Sequence, residues 1–290
     1  MATIGIFDSG SGGLSVLKEI RKVLPSERFI YYSDNAHCPY GEKSPEYIQE
    51  RARVITRLLL DKGADVIVVA CNTATGAAIA TLRAEFDVPF IGMEPAVKPA
   101  ALGTRSGVIG VLATAGTLKA SKYLNTKEQF QDNVRIEEHV GEGFVQLVER
   151  GELDGPEAER VVRASLQPLL DAGADTIVLG CTHYPFLLPV IERIAGPGVR
   201  VIDPAPAVAR QVLKVLSTCR TPALNGGISP DPLTASSPFP TLPSQSPGAG
   251  RSAGADLASH NGQATGSLEL LASGDPTTLR ALAARISREQ

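Results

Sequence analysis

The chain has 290 residues, 43% hydrophobic and 5% aromatic, with a formal charge of −3. That is an α/β composition with material for one large domain or two ordinary ones. It has no basic block to suit nucleic acid and no apolar run of membrane-spanning length, so neither partner is expected.

Residues 1–8 lack the basic region and long apolar core of a signal peptide, which points to a cytoplasmic protein. Residues 3–7 predict a first strand. Asp8-Ser9-Gly10-Ser11-Gly12-Gly13 follows, then a helix over 14–23. The small residues let backbone approach a ligand, and the helix N-terminus favours an anion. A plain tight turn is the alternative. The glycine spacing is not G-x-G-x-x-G, and no P-loop lysine is present. Residues 29–32 predict a second strand. The irregular loop through Cys38-Pro39-Tyr40-Gly41-Glu42 is a plausible substrate rim. Ser44-Pro45-Glu46 opens a helix to about 60.

Two similar stretches then organise the chain. Gly63-Ala64-Asp65 precedes an apolar run ending at Cys71-Asn72-Thr73. Gly173-Ala174-Asp175 precedes another ending at Cys181-Thr182-His183. Neither run alternates, as suits strands buried on both faces. Each cysteine is therefore expected where a central parallel strand ends and a helix begins, the place where open α/β sheets carry their sites. Asn72 and Thr73 are candidate caps for the first helix. Between the copies, strands are expected over 88–92, 107–112 and 134–140 and helices over 145–150 and 156–172. Ala113-Thr114-Ala115-Gly116-Thr117 takes the place that 8–13 holds in the first half. Residues 199–202 close the second half.

The fold expected is two similar doubly wound, flavodoxin-like parallel-sheet domains facing each other across a cleft. Residues 1–98, with 205–220 and 265–290, form the first and 99–204 the second. The helix from 205 returns to the first half. Residues 221–264, rich in Pro, Ser and Gly, read as a disordered insertion, with a Pro-rich recognition segment as the alternative. A last helix is expected over 276–286, with Asp275 near its cap.

Four cysteines, Cys38, Cys71, Cys181 and Cys219, are expected to stay reduced. A thiolate is a strong nucleophile and a usable base, favoured at helix N-termini. Cys71 and Cys181 sit at such positions on opposing halves. Asp8, ending strand one, can approach Cys71. His183 can exchange a proton with a thiol or an ammonium group, and Glu149 can serve Cys181 in a similar way. Blander readings stand beside these. Free cysteines are often small buried hydrophobes, His183 could cap its helix, and Glu149 could be a solvated helix residue. Cys181 and His183 give only two metal ligands, and Cys71 has no histidine partner, so no metal is expected. A thiol protease would leave the second cysteine unexplained. Two equivalent thiols suit removal of a proton from one face of a carbon and delivery to the other. No pyridoxal-binding lysine signature is evident, so the chemistry expected is cofactor-free.

Several segments together resemble the glutamate racemases of the aspartate/glutamate racemase superfamily. They are Ile6-Phe7-Asp8-Ser9-Gly10-Ser11-Gly12-Gly13-Leu14, Pro39-Tyr40-Gly41-Glu42-Lys43-Ser44, Cys71-Asn72-Thr73-Ala74, Gly143-Phe144-Val145-Gln146-Leu147-Val148-Glu149 and Gly180-Cys181-Thr182-His183-Tyr184-Pro185. They run in family order. Ala272-Ser273-Gly274-Asp275-Pro276 is similar to the family's C-terminal segment. The resemblance implies cofactor-independent interconversion of L- and D-glutamate, with D-glutamate destined for bacterial peptidoglycan. It implies that Cys71 handles the α-proton of D-glutamate and Cys181 that of L-glutamate. Asp8 and His183 would assist them, with Glu149 as a further assistant on the second side. Substrate contacts are implied for Asp8, Ser9, Pro39, Tyr40, Gly41, Cys71, Asn72, Thr73, Thr114, Thr117, Cys181, Thr182 and His183. A homodimer is the candidate assembly. Two departures from the pattern are Gly141-Glu142, where relatives carry Cys-Pro, and the 221–264 insertion. An aspartate or hydantoin racemase is the nearest rival, and a non-catalytic binding protein using the same cleft is the rival from another class.

Overall fold

Nine strands occur among the described residues, 1–220 and 266–288, of a computed structural model. In chain order they are β1 (Thr3–Asp8), β2 (Arg28–Ser33), β3 (Val66–Val69), β4 (Phe90–Gly92), β5 (Val108–Ala113), β6 (Arg135–Val140), β7 (Thr176–Gly180), β8 (Arg200–Ile202) and β9 (Leu268–Ala272). They form two all-parallel sheets, ordered β4-β3-β1-β2-β9 and β6-β5-β7-β8. Apart from the added edge strand β9, both follow the same doubly wound order, as the repeated motifs predict. The insertion expected over 221–264 lies outside the described residues.

The helices are α1 (Leu14–Val23), α2 (Pro45–Asp61), α3 (Asn72–Glu85), α4 (Val97–Gly103), α5 (Ala115–Leu118), α6 (Ser121–Glu128), α7 (Phe144–Glu149), α8 (Pro156–Asp171), α9 (Leu188–Ala195), α10 (Ala205–Arg220) and α11 (Thr277–Arg288). Every residue of β3 and β7 is buried, which explains why neither run alternates. The helix expected to open at Cys181 begins instead as a 3₁₀ turn, Tyr184–Leu187, before α9. Two prolines, Pro185 and Pro189, lie in that stretch, and each removes a backbone donor.

The repeated Gly-Ala-Asp has a local explanation. Gly63 and Gly173 follow α2 and α8 with φ of 84° and 88°, a left-handed conformation that costs other residues about 1–2 kcal/mol. The aspartate then ties down the neighbouring strand's start. Asp65 accepts the Thr3 N–H at 2.7 Å, and Asp175 accepts from Thr104, Arg105 and Ser106. Each turn thus fixes where its central strand starts, and so where its cysteine falls.

Helix α10 packs along α1 and reaches β4, returning the chain to the first sheet. There β9 pairs with β2, from Phe29↔Leu268 to Ser33↔Ala272. Helix α11 packs on α1, with Asp275 accepting from the Thr277 N–H at 3.0 Å. The strand β9 was not evident in the sequence. No helix among the described residues is long and apolar enough to cross a membrane.

Candidate active site

The carboxyl ends of β1 and β3 face those of β5 and β7, and the two cysteines line one cavity between them. Its walls include Ser9, Pro39, Tyr40, Gly41, Asn72, Thr73, Thr114, Val145, Thr182 and His183. The cavity holds about 10 Å³, the minimum for a single water. Asp8, Thr117 and Glu149, also expected at the site, do not line it.

Register sets the equivalence of the halves. Phe7 pairs with Val69, and Ala113 with Gly180. Ser9 therefore lies beside Cys71, with Oγ 3.8 Å from Sγ, and Thr114 occupies the corresponding place beside Cys181. Cys71 itself caps α3: its Sγ accepts the Ala74 N–H at 3.4 Å, a role expected of Asn72 or Thr73. Asn72 is freed by this arrangement. Its amide nitrogen and oxygen are buried and have no hydrogen-bond partner among the described residues. An unmet polar group of this kind costs about 1–3 kcal/mol, which a polar ligand can offset.

Asp8 stands behind the first thiol. Its carboxylate accepts the Gly13 N–H at 2.7 Å and the Thr182 hydroxyl at 3.3 Å. Complete burial pushes its pKa up, against the opposing pull of His183. Burial, reinforced by the Asp8 charge, pushes the Cys71 thiol well up. Cys71 is therefore a protonated thiol at neutral pH.

The second thiol has a different neighbour. His183 Nδ1 lies 3.7 Å from Cys181 Sγ, and Nε2 donates to Glu149 Oε1 at 2.7 Å. Burial pulls His183 down, but hydrogen bonds with Cys181, Cys38 and Glu149 outweigh it and hold the imidazole well above its ordinary range. His183 makes no capping bond, so the helix-cap reading fails. Glu149 is not a solvated helix residue either. Desolvation raises it, yet the His183 contact and the Ser11 N–H at 2.6 Å hold it below the usual range. It reaches Cys181 through His183 rather than directly.

The loop after β1 departs from expectation in an instructive way. The anions at its N–H groups are the chain's own carboxylates, Asp8 on Gly13 and Glu149 on Ser11. Its glycines make room for side chains. A Cβ on Gly12 would lie 2.4 Å from His183 Nδ1, and one on Gly10 would lie 2.2 Å from Glu149 Oε1. Across the cavity, Thr73 Oγ1 meets Thr114 Oγ1 at 2.8 Å, and Thr117 supports Thr114 from behind at 2.9 Å. Tyr40 is held by Asp34, a buried carboxylate that also takes two bonds from Arg51 at 2.9 and 2.7 Å. Sequence reasoning missed Asp34 and Arg51, because their role depends on the packing of α2 under the loop.

Two parallel sheets thus bring paired cysteines to matching strand ends, one backed by a carboxylate and the other beside an imidazole. The profile of the Asp/Glu/hydantoin racemase family matches residues 4–212, and the chain belongs to that family. Within the family it stands with the glutamate racemases. The glutamate racemase of Stutzerimonas stutzeri is 50% identical over 217 residues, covering 74% of this chain and 82% of the relative. The Escherichia coli glutamate racemase, solved with L-glutamate and the activator UDP-MurNAc-ala, is 38% identical with a TM-score of 0.70, covering 74% of this chain and 82% of that one. The Bacillus anthracis glutamate racemase RacE1 shares 27% identity and a TM-score of 0.75, covering 100% of this chain and 95% of that one.

Proposed function

We propose that the chain interconverts L- and D-glutamate by passing protons between two thiols and the substrate's α-carbon, with no cofactor. The observation that carries this reading is the shared cavity of Cys71 and Cys181 at equivalent strand ends. In the L-to-D direction Cys181, as thiolate, removes the α-proton from one face while Cys71, already a thiol, donates its proton to the other. The His183–Glu149 pair then gives up an imidazolium proton to solvent and takes the one left on Cys181 in its place, and Asp8 supports reprotonation of Cys71. The reverse direction runs the same steps backwards. The α-proton is far less acidic than a thiol, so the carbanionic transition state needs electrostatic stabilisation in a water-poor site. Ser9, Asn72, Thr73, Thr114 and Thr182 supply hydroxyl and amide donors for the substrate's carboxylates, and His183 borders the same space. Product D-glutamate would serve bacterial peptidoglycan, made from cytoplasmic precursors. A homodimer is the assembly we favour.

A cavity of about 10 Å³ is too small for glutamate. We infer that residues 99–204 move away from 1–98, 205–220 and 266–288 to admit substrate, and close for chemistry.

The test is α-hydrogen exchange in D₂O with reduced, cofactor-free protein, offering each enantiomer separately. Deuterium in the inverted product is the expected result. Binding of glutamate with no exchange from either enantiomer would leave a binding protein in place of an enzyme, and faster turnover of aspartate would move the assignment to another racemase.

Asn72→Ala tests the substrate contact separately. The variant loses a buried group that has no partner among the described residues. It should be as stable as wild type, or about 1 kcal/mol more stable, while KM for glutamate rises about ten-fold, equivalent to one lost hydrogen bond of ~1.4 kcal/mol. Thermal melts and steady-state kinetics read the two effects. A variant destabilised with unchanged KM would make Asn72 a structural residue.

A further inference from the structure

Outside the two-thiol pair, the site holds a third sulfur. Cys38, half-buried in the loop before Pro39, brings its Sγ within 4.8 Å of ligand atoms of both Glu149 and His183. The three residues come from separate segments and converge under Gly10. A Cβ there would lie 3.1 Å from Cys38 Sγ as well as 2.2 Å from the Glu149 carboxylate. The Cys38 sulfur and the His183 imidazole lie next to each other across this space.

One sulfur, one imidazole nitrogen and one carboxylate oxygen make a donor set suited to zinc rather than magnesium or calcium. Bonds of about 2.0–2.3 Å place tetrahedral zinc ligands roughly 3.5 Å apart. Cys38 reaches that spacing by closing in about an ångström, while His183 Nε2 and Glu149 Oε1, 2.7 Å apart, move slightly away from each other. Three protein ligands leave one position for water, the coordination of an open zinc site.

We propose that Cys38, His183 and Glu149 form an inhibitory site for a soft divalent cation, with Zn²⁺ as its ligand. Binding forms bonds from the metal to sulfur, nitrogen and oxygen. It releases to solvent the Cys38 thiol proton and the proton on the coordinating imidazole nitrogen. His183 and Glu149 are then unable to exchange a proton with Cys181, so racemisation stops. The inhibitory part rests on the roles proposed above for His183 and Glu149. The metal site itself does not.

The experiment titrates reduced, chelator-stripped full-length protein with Zn²⁺ by calorimetry, and with Co²⁺ by absorption. One equivalent should bind, and Co²⁺ should give a sulfur-to-metal charge-transfer band. Racemisation should fall along the Zn²⁺ binding curve and return on adding EDTA. Cys38→Ser should lose the cobalt band and, measured against its own metal-free rate, need about ten-fold more Zn²⁺ for inhibition. The double variant Cys71→Ser/Cys181→Ser should keep both the band and the single equivalent. If Cys38→Ser is inhibited at the wild-type concentration, or the band vanishes only with the two catalytic thiols, the metal sits on Cys71 and Cys181 and the proposal falls. No zinc binding to folded wild type also overturns it. Should the protein prove not to racemise glutamate, calorimetry and the cobalt band still decide the metal site. Should Cys38→Ser not fold, the double variant alone decides it.

Discussion

Cys71→Ser and Cys181→Ser each lower glutamate racemisation by roughly 10²–10⁴-fold, the usual worth of a positioned acid or base. A serine hydroxyl keeps the shape and loses the acidity. Both thiols line the one cavity, so each substitution removes one face of the reaction and leaves the other. The surviving thiol can still take and return a proton on its own side. Cys71→Ser should therefore wash deuterium into L-glutamate without inversion, and Cys181→Ser should do the same for D-glutamate. Mass spectrometry of the recovered, resolved substrate gives the pattern. Exchange of the opposite enantiomer in each variant would reverse the assignment of faces, and undiminished inversion in either would remove the two-thiol mechanism.

His183→Asn should lower turnover by about 10²-fold, within the range for general acid–base partners. The asparagine keeps a donor near Glu149 but cannot accept and release a proton between Cys181 and that carboxylate. The enantiomers have equal free energy in water, so kcat/KM must stay equal in both directions for every variant, whichever step is slowed. Direction therefore shows in isotope effects. With the Cys181 side impaired, α-deuterated L-glutamate should give a larger primary effect than in wild type, while the D-substrate effect changes less. Equal enlargement on both sides would place His183 in general stabilisation of the transition state. Asp8 is the counterpart behind Cys71, where burial and the Asp8 charge already keep the thiol protonated.

The main architecture was legible because its causes are local. Two Gly-Ala-Asp turns, two unbroken buried runs and two cysteines lie within short windows, and β3 and β7 follow them closely. The edge strand Leu268–Ala272 was not legible, because five residues on an edge carry little periodicity and their partner β2 is far away in sequence. The capping role moved from Asn72 to Cys71, since the cap depends on which residue keeps an extended backbone at the helix start. The sequence suggests Glu149 as a neighbour of Cys181, whereas its contact with His183 depends on how α7 meets the loop after β1. Cys38 was seen as one cysteine of four. Only the folded chain brings it to His183 and Glu149.

The repetition of strand and cysteine relates the two halves by a rotation, whereas L- and D-glutamate are related by reflection. No rotation of a chiral scaffold can generate a mirror image, so a perfectly repeated site would not serve both hands of the substrate. The surroundings of the thiols obey this restriction. A carboxylate, Asp8, stands behind Cys71, and an imidazole, His183, stands beside Cys181, although the backbone positions match. The repeated pattern brings two thiols to one cavity. On the proposed mechanism, the departure from repetition around them would let a single binding mode hold three substituents of the carbon in place while hydrogen changes sides.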